Sequence, residues 1–311
     1  MNLNKNLLIT LTLGSLLLVA GCGSKDTDGS YVAQKPKEVP KFNLPAGEEF
    51  TMFPFDLGNE WVYTVDAEAR TPQGQTGKGA DEFTFRVVSV EPTATNDGKK
   101  VVLRVYRKDT PTEASDEQTY QIDKTGIQQL TMGIGANKME FDPPQTVIKF
   151  PVKIGDKYTW EGMGPVGGKL KKSKLEVEVV GTQLVDTQSD EHFDALQIKQ
   201  IQTWMGDNNR EGRQESDIYW FPKVGLVRLF QQVTNDQGGV GATKLQLKKK
   251  TLKGDGKSIP TAKESLPEAD AAPSADAAKP IPSDKPADAK PADKPADKAT
   301  TGGDGAKTTG Q

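Results

Sequence analysis

The chain has 311 residues, of which 34% are hydrophobic, with one cysteine, one histidine, and 40 basic against 43 acidic side chains for a net charge of −3. One His and one Cys cannot fill a tetrahedral zinc site, a single Cys cannot form an internal disulfide, and so small a charge offers no footprint for nucleic acid. The fold must therefore rest on packing, and no cofactor is expected.

Residues 1–21 read as an export signal. Lys5 gives a basic start, Leu7 to Val19 form an apolar run interrupted only by Thr, Gly and Ser, and small residues precede a polar break. A run of 13 residues is too short to span a bilayer core, which needs about 20. Val19-Ala20-Gly21-Cys22 resembles the lipobox of bacterial lipoproteins, which are cut before a cysteine that then carries lipid. The resemblance implies lipidation at Cys22, an envelope location and a membrane partner held through acyl chains; with several chains that residence is stable. Gly23 after the cysteine implies the outer membrane in a two-membrane bacterium, and otherwise the outer face of the cell membrane. Residues 22–50, rich in Gly, Ser, Lys, Asp and Pro, read as a tether with a reach of roughly 25–30 Å.

From 51 to 253 the apolar residues recur with period two, as in Trp61, Tyr63, Val65; Phe83, Phe85, Val87; Val101, Leu103, Val105; and Leu175, Val177, Val179. Turn words such as Asn96-Asp97-Gly98, Lys124-Thr125-Gly126 and Pro222-Lys223-Val224-Gly225 separate these runs. The expectation is an all-β domain of ten to twelve antiparallel strands, a curled sheet or barrel, with no helix. A repeat lies inside it. Phe53-Pro54-Phe55-Asp56-Leu57-Gly58-Asn59-Glu60-Trp61 returns 97 residues later as Phe150-Pro151-Val152-Lys153-Ile154-Gly155-Asp156-Lys157-Tyr158, and Tyr120 to Ile127 returns as Tyr219 to Leu226. Two related halves follow, with Trp61 equivalent to Tyr158 and Tyr120 to Tyr219. Gly126 and Gly225 are expected at turn positions of positive φ.

Several of these words resemble those of poorly characterised bacterial envelope proteins, the TapB-like ones among them: Leu57-Gly58-Asn59-Glu60-Trp61, Phe193-Asp194-Ala195-Leu196 and Tyr219-Trp220-Phe221-Pro222-Lys223-Val224-Gly225-Leu226-Val227. His192 and Lys223 depart from the usual pattern, which has small residues there. The resemblance implies a secreted β-domain and an address, and no activity.

Residues 254–311 lack aromatics after Asp255 and carry three Lys-Pro-Ala-Asp words, a composition that cannot offset the entropy of ordering; they read as a disordered tail. For chemistry, His192 stands beside Asp190, Glu191 and Asp194 on a turn, with Ser189 near, but triad members normally converge from separate elements. Asp207, Asn209 and Glu211 with Gly212 have the spacing of a calcium loop, while Ile218 occupies the place of its bidentate Glu; the same residues also suit a hairpin tip. Trp160, Trp204 and Trp220 could stack on sugars if exposed, or pack the core. The Lys169–Lys174 cluster reads as a solvated strand face, or as a contact for lipid head groups or an acidic polymer. The functional expectation is a non-enzymatic, lipid-anchored envelope module that binds a lipid, a polymer of the envelope or a protein partner. An envelope hydrolase and a surface spacer or adhesion component are the alternatives.

Overall fold

The computed structural model describes residues 39–207 and 209–267; Cys22 and the repeated Lys-Pro-Ala-Asp words lie outside them. The described chain is nearly all β. Twelve strands follow one another as β1 (Glu60–Arg70), β2 (Thr76–Pro92), β3 (Lys99–Arg107), β4 (Thr110–Asp123), β5 (Gly126–Met132), β6 (Met139–Lys149), β7 (Lys157–Val166), β8 (Lys169–Asp186), β9 (His192–Met205), β10 (Glu211–Phe221), β11 (Gly225–Thr234) and β12 (Val240–Thr251), with a short β13 (Glu264–Ser265). Each of the twelve pairs antiparallel with its neighbours in sequence, and β1 pairs with both β2 and β12, so the sheet closes into an up-and-down barrel. Closure removes the exposed edges that an open sheet would present. β13 adds to the free end of β2, Glu264 opposite Val90.

The period-two residues point inward. Trp61, Tyr63, Val87, Val101, Leu103, Leu175, Val177, Val179, Leu196 and Ile198 all belong to the buried core. The opposite faces of β7, β8 and β9 carry Lys157, Glu161, Lys174, Glu176, Glu178 and Lys199, as the pairing registers require. Such a wall faces water, because charged side chains on a lipid-facing barrel wall are strongly destabilising.

Six strands fall in each half, and the halves match in backbone detail. Gly58 and Gly155, at φ 78° and 91°, turn the chain into β1 and β7. Their amides donate to Val87 and Val179 at 2.9 and 2.7 Å, and those two valines donate back to Asn59 and Asp156, both at 2.9 Å. Bulges follow at the same place in β2 and β8, between Val87 and Ser89 and between Val179 and Gly181. Trp61 opposes Phe85 as Tyr158 opposes Val177, so these two are equivalent. Gly126 and Gly225 have positive φ, 144° and 91°, as expected.

Tyr120 and Tyr219 are not equivalent. Tyr120 opposes Val101 on the inward face, whereas Leu196, the counterpart of Val101 three positions past the bulge, opposes Trp220. The β10–β11 loop is one residue longer than the β4–β5 loop, with three residues between Phe221 and its partner Gly225 but two between Asp123 and Gly126. Trp220 follows a bulge as Tyr120 does and fills its place, while Tyr219 lies on the other face of the strand, still only 4% exposed and with its hydroxyl donating to Gln183 at 3.1 Å. Lys223 in the β10–β11 loop takes φ 62°.

Candidate binding lumen

Twelve strands enclose more space than their own side chains fill, since about eight already suffice for a packed interior. At the end where β1 begins, the proximal end, the surplus is filled by the chain leading into it. A 3-10 turn, Glu49–Met52, sends Met52, Phe53 and Phe55 inward, where they are at most 6% exposed. Phe53 packs on Trp220 with ring centroids 4.0 Å apart, and Phe55 lies 5.8 Å from Trp61 and 5.6 Å from Tyr120. Thr51 accepts the amide of Lys223 at 2.7 Å, which ties this plug to the β10–β11 turn.

A polar knot locks the plug from outside. Lys99, 1% exposed, holds Asp56 Oδ1 at 3.3 Å and donates to the carbonyls of Gly256 at 2.8 Å and Ser258 at 3.3 Å. Burial pushes its ammonium below the ordinary lysine value, and the Asp56 carboxylate pulls the other way. Asn59 accepts the amide of Lys253 at 2.6 Å and donates to Gly254 at 3.0 Å and to Pro54. Residues 254–258, which composition assigns to the tail, are thus fastened to the proximal end. A cleft of about 350 Å3 opens beside them, lined by Leu57, Val90, Lys253, Ser258 and Glu264 among others.

Toward the distal end the interior changes character row by row. Along the register, Val65 opposes Leu245, which opposes Leu229, then Ile218, Ile198 and Val179: an apolar arc over six strands, with Asp81 opposite Val65 on the β2 side. One step further, Ala67 opposes Thr243, then Gln231, Ser216 and Gln200. The next inward pair is Gln214 and Gln202. Ile198 is 1% exposed, while Gln200, Gln202, Gln214 and Gln231 are only partly buried. Their bonds to the wall are long: Gln202 to Ser173 at 3.3 Å and Gln231 to Ser216 at 3.5 Å. On the β1–β2 side the same rows continue as Ala67 against Gly79 and Ala69 against Gly77. Both glycines are exposed, and a Cβ on either would meet nothing within 4 Å. The lumen therefore opens at the distal end on that side.

Charges within the distal lumen are paired. Arg107 holds Asp81 at 2.7 Å and Lys171 holds Asp236 at 2.6 Å. Asp116 accepts the Gln118 amide at 3.0 Å and the Gly133 amide at 2.9 Å; its burial raises it above the usual carboxylate range. Gln118 in turn accepts the hydroxyl of Tyr120 at 2.7 Å. Among the buried inward donors without a hydrogen bond are Arg107 Nε, Trp220 Nε1 and the Nε2 of Gln129, which is 7% exposed.

The residues singled out by sequence fall elsewhere. His192 Nδ1 lies 2.7 Å from Asp186 on the exposed β8–β9 hairpin, and Ser189 engages Thr187 and Glu191 instead of the imidazole. Asp207, Asn209 and Glu211 form the β9–β10 hairpin tip: Asn209, at φ 58°, donates to Gly206, and Asp207 lies 3.5 Å from Lys169. Among the described residues no group of three or more His, Cys, Asp or Glu is placed to hold a metal. Trp160, Trp204 and Trp220 are at most 9% exposed, so none is a surface platform. Trp204 lies so close over Gly212 that any side chain there would collide with the indole. The lysine cluster alternates, with Lys171 inward on its Asp236 and Lys172 outward. The glutamines of the lumen went unnoticed in sequence, because polar residues on the inward face erase the apolar alternation that reveals a strand.

No family model matches the chain, and no curated protein matches it. Among solved structures, a protein of Bacteroides fragilis described as exported and of YmcC-like fold is similar at 14% identity, over 64% of this chain and 98% of that one, with a TM-score of 0.36. A protein of Parabacteroides distasonis described as a lipoprotein is similar at 12% identity, over 69% and 100%, TM-score 0.39. The hypothetical lipoprotein YmcC of Escherichia coli is similar at 10% identity, over 67% and 90%, TM-score 0.29.

Proposed function

We propose that this chain is a lipid-anchored lipoprotein of the bacterial cell envelope, held by acyl chains on Cys22, whose barrel is a non-enzymatic binding module. In a two-membrane bacterium its address is the outer membrane. The lipobox-like Val19-Ala20-Gly21-Cys22 supports the anchor. The observation that carries the binding reading is the inward face of β9, where the partly exposed Gln200 and Gln202 lie between the buried Ile198 and the buried Trp204. A spacer needs no lumen, and a packed core would be simpler to build. Partly buried amides with long bonds, by contrast, are what a ligand site keeps available.

The anchor is tested by metabolic labelling with fatty acid. The native chain takes up label and partitions with membranes; Cys22→Ser does neither. A processed Cys22→Ser chain that still partitions with membranes contradicts the anchor. The binding reading is tested by thermal melting in fractions of envelope extract, because a ligand of the native state raises the melting temperature by mass action. A saturable rise supports it, and no rise in any fraction contradicts it.

A further inference from the structure

We infer that the distal lumen takes a neutral, polyhydroxylated ligand, an oligosaccharide, bound by the amides and hydroxyls of β9, β10 and β11. This inference rests on the binding reading above and names the ligand class for it. Three features of the wall select the class.

The first is the chemistry of the inward groups. Gln200, Gln202, Gln214, Gln231 and Ser216 lie in adjacent register rows. An amide offers two donors and an acceptor, and a hydroxyl offers one donor and two lone pairs. A sugar hydroxyl both donates and accepts, so it can answer either end of each amide whichever way the amide turns. The second feature is charge. Arg107 and Lys171 each already hold a carboxylate at 2.7 and 2.6 Å, so an anionic ligand would have to displace Asp81 or Asp236. A cationic ligand meets Asp116 with its oxygens already accepting from Gln118 and Gly133. The third is the cost of an apolar guest. Covering these amides with hydrocarbon would strip their water and leave them unpaired, a desolvation penalty for each group.

A separate observation points the same way. Gln129 is more than nine-tenths buried on the inward face, beside Tyr120, and its Nε2 has no partner. Buried donors are normally satisfied. This one aims into the lumen at the boundary between the plug and the polar rows, where a hydroxyl oxygen would complete it.

The test is calorimetric titration of the full chain with maltohexaose, cellohexaose and a chitin hexamer as neutral probes, hexagalacturonate as the anionic probe and palmitate as the apolar one. The expected result is saturable binding of a neutral oligosaccharide, weakened about fivefold by Gln200→Leu or by Gln231→Leu, as befits one lost hydrogen bond. Gln197→Leu, on the outward face, leaves the affinity unchanged. Gln200→Ala, which adds no bulk, repeats the loss if the leucine variants melt early. Binding of palmitate or hexagalacturonate with no neutral probe bound overturns the ligand class and leaves the binding module standing. Failure of every probe to bind overturns both.

Discussion

Trp61 and Tyr158 open the two halves of the barrel, and each reaches across into the other half. Trp61 Nε1 donates to the carbonyl of Val224 at 2.7 Å, and Tyr158 Oη donates to that of Val147 at 3.0 Å. The next inward aromatics do the same: Tyr63 reaches Leu226 at 2.9 Å and Trp160 reaches Pro143 at 3.0 Å. The duplicated sequence thus supplies its own cross-links, one pair of aromatic donors at each seam. Both rings are buried, at 2% and 9% exposure. Trp61→Ala and Tyr158→Ala should each cost about 3 kcal/mol in denaturant melts, as emptied aromatic core sites do. Tyr158→Phe, which keeps the ring and removes the donor, should cost about 1 kcal/mol. Equal losses for Phe and Ala would show that packing at Tyr158 contributes nothing.

The two seams differ in their backbone bonding. β1 and β12 pair along their whole length, from Glu60 opposite Thr251 to Arg70 opposite Val240. β6 and β7 meet only at Asp142 opposite Met163, and Pro143 and Pro144 in β6 have no amide to give. The β7 amides directed at β6 should therefore exchange with deuterium faster than the β1 amides directed at β12. Equal protection of the two sets would mean that the aromatic donors close the β6–β7 seam as firmly as a full ladder closes the other.

Lys99 and Asp56 test the proximal knot. Asp56→Asn removes the counter-charge from an ammonium that is 1% exposed, and should cost about 3 kcal/mol. Lys99→Met removes the charge altogether and should cost less. The pH dependence has a definite sign. Burial holds the folded-state value of Lys99 below the ordinary 10.5, so between the two values the unfolded chain binds more protons than the native one. Stability of the native chain relative to Lys99→Met should then rise with pH across that window. A fall across it would mean that Asp56 outweighs the burial.

Much of this fold is legible in the sequence, and for a physical reason. Strands such as Trp61-Val62-Tyr63-Thr64-Val65 bury one face and wet the other, so their alternation survives in the residues. The repeated Gly58-Asn59 and Gly155-Asp156 words mark where β1 and β7 begin because the turn needs positive φ. Register is less visible. Tyr120 and Tyr219 align in sequence, but the second hairpin has a loop one residue longer, and Trp220 takes the inward place while Tyr219 lies buried on the other face of the strand. Equivalence of words also fails at Ile154, which is 61% exposed where Leu57 packs on the core.

The candidate site is the least legible part. Gln200 and Gln202 follow Leu196 and Ile198 on the inward face of β9, and a polar residue on an inward face looks like a surface residue until the partner strands are known. Asp207, Asn209 and Glu211 had the opposite fate: their spacing is that of an ion loop, while a two-strand hairpin explains the same residues. Closure itself has no local signal, because it depends on Leu245 and Leu247 finding Val65 and Tyr63 across nearly the whole span of the barrel.

Solvent access along one strand tests the central claim most directly. In a Cys22→Ser background, which lacks any thiol, Ile198→Cys, Gln200→Cys and Gln202→Cys place a reporter at three successive inward positions of β9. Labelling by a charged, water-soluble maleimide under native conditions should leave position 198 protected and modify positions 200 and 202 readily, as a lumen closed proximally and open distally requires. Equal protection at all three positions would mean a packed interior and would contradict the account.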